Sequence, residues 1–176
     1  MHTGDQPTLL RWLEDATIDV ALTYDLALDA SLSSTPLATF PVYALVGAGH
    51  PLARRRSVTL GRLAREPLVL LDLPLSREYF LDLYRKAGVE PVVDRRVSDP
   101  ELLRSLVANG FGYTLANAKP IPTASVDGMP LVAIPVSGTT RALVAGLVRR
   151  AGAVPTLTAA AFADVCAAVL APGLDA

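Results

Sequence analysis

The middle of the chain alternates short apolar runs with helical patterns, and this alternation limits the possible folds more than any other feature. From Leu68 to Ala116 the pattern predicts strand, helix, strand, helix and strand in turn. Both helical patterns end at a glycine, Gly88 and Gly110, as expected for the left-handed position after a helix. Alternation of this kind is typical of βαβ units, so we expect an α/β fold with mixed, mostly parallel sheets.

Serines precede both of these helices and are their predicted N-caps. Ser76 stands before "REYFLDLYRKAG", and Ser98 lies three residues before Glu101, in a capping-box pattern with Pro100 in the first turn. An earlier helix is predicted to begin at Asp5 and to bury Trp12 in the core.

The outer parts of the chain add further strands. "TIDVALTYD" predicts a buried strand from Ile18 to Leu22, and "LATFPVYALVGAGHPLA" predicts one long strand after a polar loop. "VTLGRLAREPLVLL" predicts a short helix and a second buried strand. "MPLVAIPV" and "RALVAGLVRR" predict two more strands, and a last helix runs from about residue 156 to 170, ended by Pro172 and Gly173.

Two glycines two residues apart mark the return from the second helix to the sheet, in "SLVANGFGYTLA". Gly110 is predicted to end the helix, and Gly112 to let the next strand begin close against its neighbours. We expect Phe111, between them, to make the hydrophobic contact that accompanies such a helix end.

Composition excludes several classes of function. The 176 residues carry a net charge of −1 with scattered basic residues, which argues against binding to nucleic acid or to an anionic membrane. The single cysteine, Cys166, excludes an internal disulfide and fits a reducing compartment. We find no signal-peptide pattern, and the apolar stretch around Asp164 is too short to span a bilayer. The expected location is therefore cytoplasmic.

No pattern for catalysis, metal binding or a cofactor is found. "GFGYTLA" follows a helix rather than a strand, and in "GAGHPLA" Leu52 stands where a dinucleotide fingerprint needs glycine. Two histidines and one cysteine form no cluster with metal-ligand spacing. Asp19 is expected to bind nearby backbone donors, and Cys166 to be a small core residue. We therefore expect no enzymatic activity.

Five motifs in order resemble the effector-binding domain of LysR-type transcriptional regulators: "LEDATIDVALTYD", "GAGHPLA", "VTLGRLAREPLVLL", "KAGVEP" and "SDPELLRSLVANGFGYTLA". The resemblance covers roughly residues 9 to 170. It implies a two-lobed fold like that of type II periplasmic binding proteins, which holds a small effector between the lobes. A small solute-binding protein of the periplasmic type is the alternative, although the free cysteine and the missing leader argue against export.

Extended segments near Glu66 and Ile134 flank a self-contained block, which suggests where the lobes divide. We expect lobe one to comprise residues 1–66 and 135–176, and lobe two to comprise residues 67–134. The family also carries an N-terminal helix-turn-helix domain, a linker helix and a first strand, helix and strand of lobe one. The sequence begins near the second helix of lobe one, so we expect an incomplete lobe one, and DNA binding only through a domain absent from this chain.

Ligands of open parallel sheets bind beyond the carboxyl ends of the strands. In this sequence those positions predict an effector site formed by Thr23, Tyr24, Leu75, Ser76, Ser98, Ala116 and Asn117. Helix N-termini at the two serines favour a carboxylate ligand, although both serines could instead serve only as caps.

The incomplete lobe leads to one further expectation. "IDVAL" and the start of "FPVYALV" are apolar on both faces, as in a buried strand. If uncovered, such strands pair with other chains. We therefore expect the isolated chain to self-associate or to depend on a companion chain.

Overall fold

A computed structural model describes residues 1–119, 123–138 and 140–170 of the chain. Pro172 and Gly173, the predicted end of the last helix, lie outside the described residues. In chain order the elements are α1 (Gln6–Glu14), β1 (Ala21–Tyr24), β2 (Leu32–Phe40), β3 (Tyr43–Gly47), β4 (Val58–Thr59), α2 (Leu60–Leu63), β5 (Pro67–Leu71), α3 (Pro74–Lys86), β6 (Val92–Val97), α4 (Pro100–Ala108), β7 (Tyr113–Ala116), β8 (Leu131–Ser137), β9 (Leu143–Arg150) and α5 (Leu157–Leu170).

The first unit combines both ends of the chain, Met1–Phe40 with Leu143–Ala176. Its three-stranded sheet has the order β1-β9-β2 and both pairs are antiparallel. Helix α1 begins at the predicted cap, since the Asp5 side chain accepts a hydrogen bond from the Thr8 amide at 3.0 Å. This helix packs on the sheet through Leu10 and Leu13, and α5 contacts β2.

The second unit, Pro41–Ala142, holds a six-stranded sheet in the order β4-β8-β3-β7-β5-β6. Strands β5, β6 and β7 run parallel, whereas β3 is antiparallel to β7 and β8. Helix α4 covers the sheet with Leu103 and Val107, which join Leu45 and Val69 in the core. The mixed α/β class is therefore confirmed, but four of the seven strand pairs in the described ranges are antiparallel, more than expected.

The long strand predicted across residues 37–46 is two strands in different sheets. Strand β2 ends at Phe40 on β9, and β3 begins at Tyr43 between β7 and β8. Pro41 lies at the break, where its missing N–H ends the ladder. The chain consequently passes between units at residues 40–41 and 142–143, not near 66 and 134, because β3, β4 and β8 belong to the second sheet.

The strand predicted from Ile18 to Leu22 is shorter and less buried than expected. It begins at Ala21, because the preceding residues turn the chain out of α1, with the Ile18 amide donating to the Trp12 carbonyl at 3.1 Å. Ala21 and Thr23 are buried, whereas Leu22 and Tyr24 are 42% and 41% exposed. β1 lies at the edge of its sheet, so its exposure alternates as in a half-covered strand.

The glycine pair after α4 has the predicted roles. Gly110 has φ +86°, and hydrogen bonds from the Gly110 and Phe111 amides to the Val107 and Leu106 carbonyls form a Schellman motif. A Cβ on Gly112 would collide with the Pro67 carbonyl oxygen, so the close approach requires glycine. Phe111 does not lie in the core. Its side chain is 44% exposed, and the Arg95 guanidinium lies 5.0 Å from the centroid of the Phe111 ring.

Candidate functional site

One edge of the second sheet collects most of the predicted site residues. Because β5, β6 and β7 run parallel, their carboxyl ends share this edge. Leu75 and Ser76 follow β5, Ser98 follows β6, and Ala116 and Asn117 stand at the end of β7. Tyr43, at the start of the antiparallel β3, pairs with Ala116 and also lies here.

Helix α3 begins earlier than predicted and has no side-chain cap. Its N-cap position is Leu73, and Pro74 opens the helix, so Ser76 lies inside the first turn instead of capping it. Proline favours this first position because its fixed φ is helical and it has no N–H to leave unpaired. Leu75 and Ser76 are half-buried residues, and their amides have no acceptor within the helix because they lie in its first turn.

Helix α4 differs at the same position, because its N-terminus is filled by a carboxylate of the protein. The Asp99 side chain accepts hydrogen bonds from the Glu101 and Leu102 amides, both at 2.8 Å. Asp99 is therefore the cap, and Ser98 precedes it as an exposed residue. Pro100 at the first helical position again determines where the helix begins.

Charged side chains surround the start of α3. The Arg77 guanidinium binds the Asp72 carboxylate at 2.6 Å and Glu78 at 3.2 Å, and Arg96 lies 3.9 Å from Asp72. These hydrogen bonds, that to Asp72 foremost, raise the pKa of Arg77. Lys119 adds a positive charge at the same edge, with its ammonium 5.5 Å from the Tyr43 ring centroid.

Asn117 is linked to α3 through a tyrosine that sequence reasoning missed. The Asn117 Nδ2 atom lies 3.0 Å from the Tyr79 hydroxyl, which itself donates to the Arg141 carbonyl at 2.6 Å. Tyr79 is buried, so the sequence pattern predicts only that it occupies an apolar position of the helix. Its partners, 38 and 62 residues away, are revealed only by the fold.

The two remaining predicted residues, Thr23 and Tyr24, belong to the first unit. Thr23 is buried in β1. Tyr24 is half-exposed, its ring stands edge-on to Phe40 with centroids 6.1 Å apart, and its carbonyl accepts a hydrogen bond from Gln6 Nε2 at 2.9 Å.

The chain is matched by a family of known domains. The family model described as the LysR substrate binding domain matches residues 1–171. The chain belongs to this family. The LysR membership confirms the resemblance and favours a regulator over a periplasmic solute-binding protein.

Relatives support the assignment in sequence and in structure. The HTH-type transcriptional regulator YnfL of Escherichia coli K12 is 31% identical over 121 residues, 67% of this chain and 40% of that protein. The structure of HinK, a LysR family transcriptional regulator from Pseudomonas aeruginosa, has TM-score 0.88 and 28% identity and covers 97% of this chain and 60% of the other. The benzoate-bound effector binding domain of BenM has TM-score 0.83 at 19% identity, covering 97% and 78%.

This LysR domain spans about 40% of the length of that curated relative. Its relatives are transcriptional regulators and effector-binding domains, not enzymes. Within the described ranges, no group of three or more His, Cys, Asp or Glu side chains could hold a metal ion, and no helix is long and apolar enough to cross a membrane.

The histidine His50 and the cysteine Cys166 of the LysR domain both have structural roles. His50 Nδ1 accepts a hydrogen bond from the Leu52 amide at 3.1 Å within a turn, and burial lowers its pKa. Cys166 is a buried free thiol on α5, the position expected for a small core residue.

Proposed function

We propose that this LysR domain senses a small carboxylate effector, held by the start of α3 at the carboxyl-end edge of the second sheet. One observation carries the proposal: α3 begins without a side-chain cap, whereas α4 is capped by Asp99. Free N–H groups and the partial positive charge at a helix N-terminus favour a negatively charged ligand. The difference between the two helices supports α3 as the position of the carboxylate.

The expected contacts follow from this placement. The Leu75 and Ser76 amides donate to the effector carboxylate, with the Ser76 hydroxyl as an additional donor. Lys119 contributes long-range attraction, and Ala116 and Asn117 border the same edge. Ser98, beside a helix end that Asp99 already fills, is left to contact other polar groups of the effector. Thr23 and Tyr24 stay candidates of the first unit, to be tested by their own variants.

Benzoate is a reasonable first probe. It is the effector bound in the structure of BenM, whose 19% identity to this chain shows a common fold and leaves the ligand of this chain open. The chemical class agrees with the proposal from α3, since benzoate carries one carboxylate on an apolar ring.

In the whole regulator, the effector shifts the population between two conformations, and a helix-turn-helix region reads that shift on DNA. The proposal includes a cytoplasmic location, no enzymatic activity and self-association of the domain. The printed description of YnfL as an HTH-type regulator supports the DNA-binding arrangement.

Thermal denaturation with matched ligands tests the site. Ligand at 100 times its Kd adds about 2.7 kcal/mol, which raises the Tm of a domain of this size by roughly 5–10 °C. We expect carboxylates such as benzoate to stabilise the protein, and neutral amides such as benzamide to have little effect.

Two serine variants form the matched pair for this test. Ser76→Ala should weaken carboxylate binding, whereas Ser98→Ala should change it less, because Asp99 caps α4. Equal stabilisation by benzamide and benzoate, or equal loss in the two variants, would contradict the assignment to α3.

A further inference from the structure

Helix α3 contacts one of the two places where the chain crosses between the units, and Asn117 links it to the other. The chain leaves the first unit after Phe40 and returns to it after Ala142. The Tyr79 hydroxyl on α3 donates to the carbonyl oxygen of Arg141 at 2.6 Å, immediately before the return. Asn117 Nδ2 lies 3.0 Å from the same hydroxyl and 3.5 Å from the carbonyl oxygen of Pro41, the first residue after the departure.

This hydroxyl does more than fill space. A phenylalanine would occupy nearly the same volume, so the packing of Tyr79, 7% exposed beside Phe80, does not require an oxygen. The Tyr79 hydroxyl donates a hydrogen bond to the Arg141 carbonyl and accepts one from Asn117 Nδ2. It therefore acts both as a donor and as an acceptor.

Tyr79 lies about one helical turn after Leu75 and Ser76, the residues proposed to contact the effector. Ser76 and Tyr79 are three residues apart in α3, about 4.5 Å along the helix axis, on adjacent positions of one surface. Leu75, Ser76 and Tyr79 belong to one continuous helix, so a displacement of its first turn is expected to move Tyr79 as well.

We propose that Tyr79 is a positioning residue that ties the start of α3 to both chain crossings, at residues 41 and 141. This inference rests on the proposed function insofar as the effector occupies the start of α3. An effector that fixes the first turn of α3 thereby steadies the Tyr79 hydroxyl, its bond to Arg141 and its link through Asn117 to Pro41.

Hydrogen exchange of the full 176-residue chain, without ligand, tests the tie directly. The variant is Tyr79→Phe, and the matched control is Tyr84→Phe, which removes a buried hydroxyl from the same helix but one that contacts Tyr113. Exchange is compared at residues 42–45 and 143–145, each relative to the amides of β5. We expect Tyr79→Phe to speed relative exchange at both crossings by about fivefold, the effect of one lost hydrogen bond, and the control to leave the ratio unchanged.

The second measurement repeats the comparison with benzoate at a concentration that saturates each protein, as verified by calorimetry. In the unmodified chain we expect benzoate to slow exchange at both crossings, and in Tyr79→Phe we expect this change to disappear although benzoate is bound. Asn117→Ala should release residues 42–45 and leave residues 143–145 less affected, which provides a second variant if Tyr79→Phe folds poorly.

The outcomes separate the two proposals. Equal relative exchange in Tyr79→Phe and Tyr84→Phe without ligand overturns the tie, whatever benzoate does. Slower exchange at the crossings in benzoate-bound Tyr79→Phe, equal to that in the unmodified chain, overturns the transmission through Tyr79. If the unmodified chain binds no carboxylate, the proposed function fails, and the ligand-free comparison still decides whether Tyr79 holds the crossings.

Discussion

The hydroxyl oxygens of Tyr84 and Tyr113 lie 2.6 Å apart inside the second unit and join α3 to β7. Both side chains are almost completely buried. Burial is the main cause that raises the pKa of each phenol. The bond between them is therefore a neutral one that persists at every pH at which the fold is usually studied.

Single and double phenylalanine variants should show that this pair acts as a unit. Either Tyr84→Phe or Tyr113→Phe alone leaves a buried hydroxyl without its partner, at a cost of about 1–3 kcal/mol. The double variant should cost clearly less than the sum, because no polar group is then stranded. Urea unfolding of the four proteins measures this coupling, and strictly additive values would contradict it.

An engineered cap on α3 should compete with the effector. Leu73 is 39% exposed and occupies the N-cap position, so Leu73→Asp loses little packing and gains the bond that Asp99 makes on α4. We expect stability to rise by about 1 kcal/mol and benzoate affinity to fall, because the new carboxylate occupies the same amides.

Leu73→Asn is the control for that design, since it caps the helix without a charge. It should stabilise the domain to a similar extent and weaken benzoate binding less. If Leu73→Asp binds benzoate as tightly as the unmodified chain, in calorimetry, the carboxylate does not bind at the start of α3.

Acid should release the loop that precedes β8. Hydrogen bonds from Ser125, Asn109 and Ser105 lower the pKa of Asp127 to about 2. Its carboxylate lies 2.7 Å from Asn109 Nδ2 and 3.0 Å from Ser105 Oγ on α4. Because the pKa of Asp127 is lowered, its contacts to Asn109 and Ser105 contribute fully to stability above the ordinary pKa of aspartate. That contribution is lost as the pH falls through about 2.

NMR chemical shifts of residues 123–130 between pH 5 and pH 1.5 provide the measurement. The Asp127→Asn variant keeps one acceptor and removes the titration, so its loop should lose the transition. A transition at the ordinary pKa of an exposed aspartate would show that the contacts to α4 do not hold Asp127.

The two glycines after α4 should differ in their tolerance of a side chain. Gly110→Ala meets open space and carries only the cost of its positive φ, about 1–2 kcal/mol. Gly112→Ala adds a collision with the Pro67 carbonyl and must displace β5 or β7. We expect a substantially larger loss for Gly112→Ala in thermal unfolding. Equal losses would mean that the approach to Pro67 is not tight.

Much of the fold could be predicted because local signals and packing agree. The strand–helix alternation from Leu68 to Ala116, the cap at Asp5 and the helix ends at Gly88 and Gly110 depend on short-range backbone chemistry. The serines predict the wrong cap for both helices, because the prolines at positions 74 and 100 are the stronger signal for the first helical residue. A proline at the first helical position points to the residue before it as the cap.

Other features depend on the tertiary structure and leave no local trace. The sequence around Tyr43 contains no local signal that β3 pairs with β7 and β8 while β2 pairs with β9. In the candidate site, the sequence predicted the sheet edge and Asn117, but Tyr79 becomes visible only when Arg141 and Asn117 are brought to its hydroxyl.

The position of β9 in the first sheet has a consequence for biosynthesis. β9 is the central strand, and both β1 and β2 pair with it and not with each other. The ribosome releases the whole second unit, which ends at Ala142, before it releases any residue of β9. Strands β1 and β2, within the first 40 residues, therefore have no sheet partner through most of translation, and the sheet that contains them is the last to close.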